Sequence, residues 1–208
     1  MKQISFKQYR SIDVAMLCAI TAFFEFIVCL ATNQWFVLQA MSVSITLAMT
    51  CITTFRWGKL AIIPSLVGSI SYCIAYGSVS KTGLSFQQIS AHCLGSAFCI
   101  LAVPILEKLG KENLRKDFIK RSAFVTIVYI LIAIGRCLIS LLLGASINSL
   151  PAFFTVDILS LLFAIVVLTL VKDLDGVIED QKAYILRLDR ERREEEGAKN
   201  NDPFNDPY

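Results

Sequence analysis

Six runs of about twenty apolar residues take up most of this chain, and no other feature limits its fold as strongly. They cover residues 12–31, 36–55, 60–76, 86–106, 122–143 and 151–171. A helix rising ~1.5 Å per residue needs about 20 residues to cross ~30 Å of hydrocarbon, and that is the length that recurs. The third run is the shortest and contains Pro64 and Gly68, yet in lipid only a helix can satisfy its backbone. Of 208 residues, 55% are hydrophobic and 18% charged, whereas soluble domains carry about a quarter charged residues and disordered chains are poorer in apolar ones. The expected fold is therefore an all-α integral membrane protein. Its six transmembrane helices lie within residues 1–171, followed by a short amphipathic helix over 172–196 and a disordered tail over 197–208.

The net charge of +3 is small and argues against a nucleic-acid partner, but the placement of the charges is informative. Eighteen of the twenty Lys and Arg residues fall on one side of the six runs. They precede the first run (Lys2, Lys7, Arg10), separate the second from the third (Arg56, Lys59), cluster between the fourth and fifth, and follow the sixth. Lys81 stands alone on the other side, and Arg136 lies inside a span. The excess of basic residues in cytoplasmic loops then puts both termini in the cytoplasm of a multi-pass cell-membrane protein. The first run exceeds the ~7–15 residues of a signal-peptide core, and removing it would leave a basic end outside, so it counts as a span.

After the sixth run Leu174, Val177, Ile178, Gln181, Tyr184, Ile185 and Leu188 recur every three or four residues among charges. Two readings stay open: a helix that docks a partner, or a solvated extension. The chain closes on a tandem repeat, NDPF then NDPY.

Catalytic signatures are missing. His92 is the one histidine, and HExxH, GxSxG, GxGxxG and the P-loop pattern do not occur. All seven cysteines fall within the apolar runs without a CxxC pair, as expected of small packing residues. No metal, cofactor or enzymatic activity is expected.

The residues that point to function are the ionisable ones inside the spans, which are costly in lipid and by default face the bundle interior. Glu25, His92, Arg136 and Asp157 lie on four different helices, each six or seven residues from the outer end of its span. That places all four ~9–10 Å below the outer surface. Helical spacing adds Gln39, Tyr72 and Gln88 to the same layer. Together they describe a polar substrate-binding pocket open to the outside. Arg136 and Asp157 are joined by a short hairpin, so a purely structural ion pair is the alternative for those two. Ala15, Ala19 and Ala22 form a separate small-residue ridge on the first helix, a shape that permits close approach of a partner helix.

With Ala15-Met-Leu-Cys-Ala19 on helix one and FRWGKLAIIPSLVGSI (residues 55–70) joining helices two and three, the chain resembles the substrate-binding S components of energy-coupling factor (ECF) transporters. The resemblance covers residues 11–171 and leaves out the charged C-terminal helix and tail. It implies six helices with both termini inside, and an outward pocket for a vitamin-like micronutrient. It also implies an AxxxA contact with a membrane coupling subunit, and two separate ATPases that supply the energy. The expected function is thus uptake of a small polar nutrient. With His92 neutral the layer sums to −1, which favours a zwitterionic or cationic ligand. Two rival readings are a small ion-coupled carrier using Glu25 or Asp157 as a proton relay, and a non-transporting scaffold acting through its C-terminal helix.

Overall fold

Along α1 (Phe6–Trp35) the inward side chains are Val14, Thr21, Glu25, Cys29 and Thr32, while Ile12, Met16, Ile20, Phe23, Phe24 and Ile27 are exposed. The polarity is that of a bundle surrounded by lipid, with Thr21, Glu25 and Thr32 inside and the large apolar residues outside. The structure, a computed structural model, describes residues 6–35, 42–79, 84–174, 176–178 and 181–200. Gln39, Lys81 and the NDPF/NDPY tail lie outside the described residues.

The described residues are helical, with no strand. Five helical stretches are long and apolar enough to cross a bilayer: Phe6–Thr32, Thr46–Val79, Phe86–Leu109, Phe118–Leu142 and Ile147–Val171. The second of these is folded on itself. α2 (Thr46–Trp57) and α3 (Ile62–Val79) are joined through a 3-10 turn, Gly58–Ala61, that begins at φ +58°. Only glycine adopts that conformation cheaply. The Cα of Gly68 in α3 packs directly on the side chain of Thr46, leaving no room for a Cβ. In a straight helix the two residues would stand about 33 Å apart at ~1.5 Å per residue, so α2 runs back along α3.

The expected helix over 36–55 therefore begins, among the described residues, only at Thr46; Ser42, Val43 and Ser44 have no regular secondary structure. The fourth run divides into α4 (Phe86–Ser96), a 3-10 stretch Ala97–Ala102, and α5 (Val103–Leu109), in whose first turn Pro104 removes an N–H donor. α6 (Lys111–Lys116) leads to α7 (Phe118–Leu142), whose first amides are capped by Asp117, with Ile119 N at 2.9 Å. The sixth run opens with a 3-10 turn, Ile147–Ser149, and α8 (Ala152–Thr155), and straightens as α9 (Ile158–Val171) just after Asp157.

Two glycines bring α4 and α7 together. A Cβ on Gly95 would sit 2.6 Å from the Arg136 backbone nitrogen, and one on Gly135 would sit 2.5 Å from the Gly95 carbonyl. This contact brings Arg136 to the helix that carries His92.

The end of the bundle that gathers Arg56, Lys108, Arg115 and Lys120 is packed solid. Phe55, Leu106, Leu114, Phe124, Leu168 and Ile178 form its core, with the Phe55 and Phe124 rings 5.2 Å apart. Arg121, 2% exposed, donates to the carbonyls of Leu114 (3.3 Å) and Arg115 (3.0 Å). The segment after α9 folds back under this end. Arg56 pairs with Asp13 through Nε (3.0 Å) and Nη2 (2.7 Å), and its Nη1 donates to the Gly176 carbonyl at 2.6 Å. Trp57 Nε1 donates to the same Asp13 at 2.5 Å. Gln181, fully buried, also donates to the Gly176 carbonyl and accepts from Tyr9. The charged helix α10 (Gln181–Asn200) begins only there, because Gly176, at φ +73°, turns the chain before it.

Candidate functional site

At the opposite end the bundle is hollow. A cavity of about 610 Å³ is bordered by Thr32 of α1, Tyr72 and Tyr76 of α3, Gln88 and His92 of α4, and the connection between α7 and α9, including Gly144, Ser149 and Phe153. Its walls include Ser42, which has no regular secondary structure. The rings on one side form a ladder. Tyr76 and Tyr72 stack with centroids 5.9 Å apart, Tyr72 and His92 stack at 5.0 Å, and Phe153 meets His92 edge-on at 6.4 Å.

Beneath the large cavity lie two small ones. Glu25, Ser44, Thr46, Ser69, Tyr72, His92, Arg136 and Asp157 surround one of about 10 Å³. Ser96, Tyr129, Ser160 and Phe153 contribute to the other, of about 20 Å³, again with Arg136 and Asp157. Of the seven substrate-binding residues expected from sequence, five meet around the 10 Å³ cavity: Glu25, Tyr72, His92, Arg136 and Asp157. Tyr72, Gln88 and His92 face the large cavity. Gln39 lies outside the described residues. Gln88 also closes the first turn of α4, accepting from Ser85 N at 2.9 Å while its own N–H donates to Ser85 Oγ at 3.3 Å.

The charged groups in this layer already have partners. Arg136 forms an ion pair with Asp157 through Nη1 and Oδ2, and Asp157 Oδ1 accepts from Ser42 Oγ at 2.5 Å. Glu25, fully buried, accepts four hydrogen bonds on Oε2. They come from Ile45 N (2.8 Å), Thr46 N (2.9 Å), Thr46 Oγ1 (2.9 Å) and Ser44 Oγ (3.0 Å). The carboxylate thus caps α2 from a different helix, placing negative charge where the helix has free N–H groups and a positive dipole end. On its other side the same irregular segment is held by α9 and the residues before it, with Ser44 N donating to Ser160 Oγ at 2.9 Å and Ser42 N to the Val156 carbonyl at 2.9 Å. Among the described residues Glu25 Oε1, Ser69 Oγ and Arg136 Nε have no hydrogen-bond partner, and all three residues border the 10 Å³ cavity.

Sequence spacing alone missed Ser44, Phe153 and Gln87. Ser44 lies in a stretch without regular secondary structure inside an apolar run that reads as helix, and neither it nor Phe153 nor Gln87, which donates to the Ser140 and Leu143 carbonyls at 3.3 and 3.2 Å, had a signal.

Ala15 and Ala19 are exposed on α1 amid Ile12, Met16 and Phe23, whereas Ala22 is half-buried and its carbonyl accepts from Ser71. All seven cysteines are free thiols. Among the described residues no group of three His, Cys, Asp or Glu side chains is placed to hold a metal. No family model, curated protein or solved structure matches the chain. The class that the fold itself defines is an all-helical protein with the apolar helices of a multi-pass membrane protein.

Proposed function

We propose that this protein is the substrate-binding subunit of an ECF-type transporter in the cell membrane. It captures a small polar, vitamin-like nutrient in the 610 Å³ cavity. The observation that carries the reading is that cavity, with its hydroxyls, amides and stacked rings, at the end of the bundle away from Arg56, Lys108, Arg115 and Lys120. Its size falls within the ~300–1,000 Å³ usual for small-molecule sites. In this reading the chain crosses six times, α2 and α3 counting as separate passes, with both termini cytoplasmic and the cavity facing outward. The exposed Ala15 and Ala19 meet the coupling subunit, and its two ATPases supply energy that a chain without a P-loop does not.

Arg136 and Asp157 then act by shaping the floor of the site, since each already holds the other. The test is equilibrium binding by the purified protein, with reporter fusions to establish topology. Substitutions on the cavity wall, such as His92→Leu, weaken binding of the co-purified small molecule, while Ala15→Leu leaves binding intact and abolishes transport by the assembled complex. If His92→Leu folds and binds as wild type, the site is misplaced.

One observation favours a second reading, an ion-coupled carrier: Glu25 Oε1 is buried, unpartnered and beside the 10 Å³ cavity, as a proton-accepting oxygen would be. That reading requires transport into liposomes by this chain alone under a pH gradient, where the leading reading requires none.

A further inference from the structure

The walls of the large cavity also define what fits in it. None of the described side chains that line it belongs to Asp, Glu, Lys or Arg. Among the described residues, the charges one layer down are engaged: Arg136 with Asp157, Asp157 with Ser42, and Glu25 with four donors from the start of α2. An ionic ligand would lose its hydration on entering and find no free counter-ion on these walls, a cost of several kcal/mol.

What the walls do offer is π surface and neutral hydrogen-bonding groups. Tyr76, Tyr72 and His92 stack in sequence, with interplanar angles of 22° and 27°, and Phe153 stands at 67° to the imidazole. All four residues line the cavity. Around them stand the hydroxyls of Thr32, Ser42, Ser140, Ser146 and Ser149. Flat aromatic surface with hydroxyls at its margin suits a flat ring whose edge carries donors and acceptors.

We infer that the ligand is an uncharged planar heterocycle, held by the Tyr76–Tyr72–His92 ladder and Phe153 and hydrogen-bonded by the surrounding hydroxyls. This rests on the reading of the cavity as the nutrient site. It replaces the zwitterionic or cationic ligand expected from summing formal charges, because Arg136 and Asp157 offset each other and the Glu25 carboxylate is held by four neutral donors of the protein.

The probe is yeast extract, a mixture of neutral and charged nutrients of many shapes. The full-length protein, immobilised in detergent, is incubated with it, washed and unfolded, and the released compounds are analysed by mass spectrometry with ultraviolet detection. The expected result is retention of a compound with a conjugated ring and no net charge at neutral pH. Retention falls by about tenfold or more in Tyr72→Leu and Phe153→Leu, the scale of losing one aromatic stacking partner, and persists in Tyr72→Phe. Using both Leu variants keeps the test decisive if one fails to fold, as judged by size-exclusion profile. A retained compound that is charged or lacks a conjugated ring overturns the inference but leaves the nutrient-binding reading standing. Unchanged retention in a folded Leu variant does the same. If wild type retains nothing above the empty resin, both the inference and the reading beneath it are overturned.

Discussion

A carboxylate buried as deeply as Glu25 is tolerated because the chain supplies it with four donors from the beginning of another helix. Its second oxygen, with Ser69 Oγ and Arg136 Nε, is left without a protein partner around a cavity of about 10 Å³. A space of roughly 10–15 Å³ with two to four polar neighbours holds one water. A high-resolution density map should therefore show a single ordered water there, accepting from Arg136 and donating to Glu25; an empty cavity would contradict this. The Arg136–Asp157 pair makes a second prediction. Arg136→Met strands a buried carboxylate and should cost about 3–5 kcal/mol. The double change Arg136→Met, Asp157→Asn should recover part of that, read as thermal unfolding in detergent. At this scale the sequence made the four ionisable residues legible as one layer, because depth follows from counting residues. It did not reveal which of them hold each other, since that depends on how each helix is rotated against its neighbours.

Helix α2 is the element whose form departs most from the sequence pattern. Hydrophobicity marks a full span from residue 36, but the described helix has 12 residues and is preceded by backbone without regular secondary structure, clasped between Glu25 and Ser160. An apolar run measures exposure to lipid and carries no record of where a helix within it begins. The joint between α4 and α7 shows the opposite case, where single residues decide the geometry: Gly95 and Gly135 allow backbone contact that no side chain fits. Gly135→Ala should cost about 1–3 kcal/mol by overpacking. Circular dichroism should show unchanged helix content alongside the lowered melting temperature, since the helices remain and only their spacing changes.

Taken whole, the molecule is packed at its basic end and hollow at the other, an asymmetry the sequence carried only as the distribution of Lys and Arg. The turn after α9 was the least legible part. Its fold depends on Gly176 and on Arg56, which is distant in sequence. Arg56→Ala removes both the Asp13 pair and the Gly176 contact, and should cost about 2–3 kcal/mol. It should also speed tryptic cleavage at Lys172 and Lys182; unchanged cleavage would mean that the segment is held by Ile178 and Gln181 alone. The same guanidinium reaches from the second helix to residues far apart in sequence, Asp13 on α1 and Gly176 beyond α9. During synthesis Asp13 and Arg56 emerge early and can pair at once, but Gly176 leaves the ribosome only after every apolar run has done so. The lock therefore closes last, and a chain that stalls before the sixth run has been made carries an Arg56 missing one of its bonds.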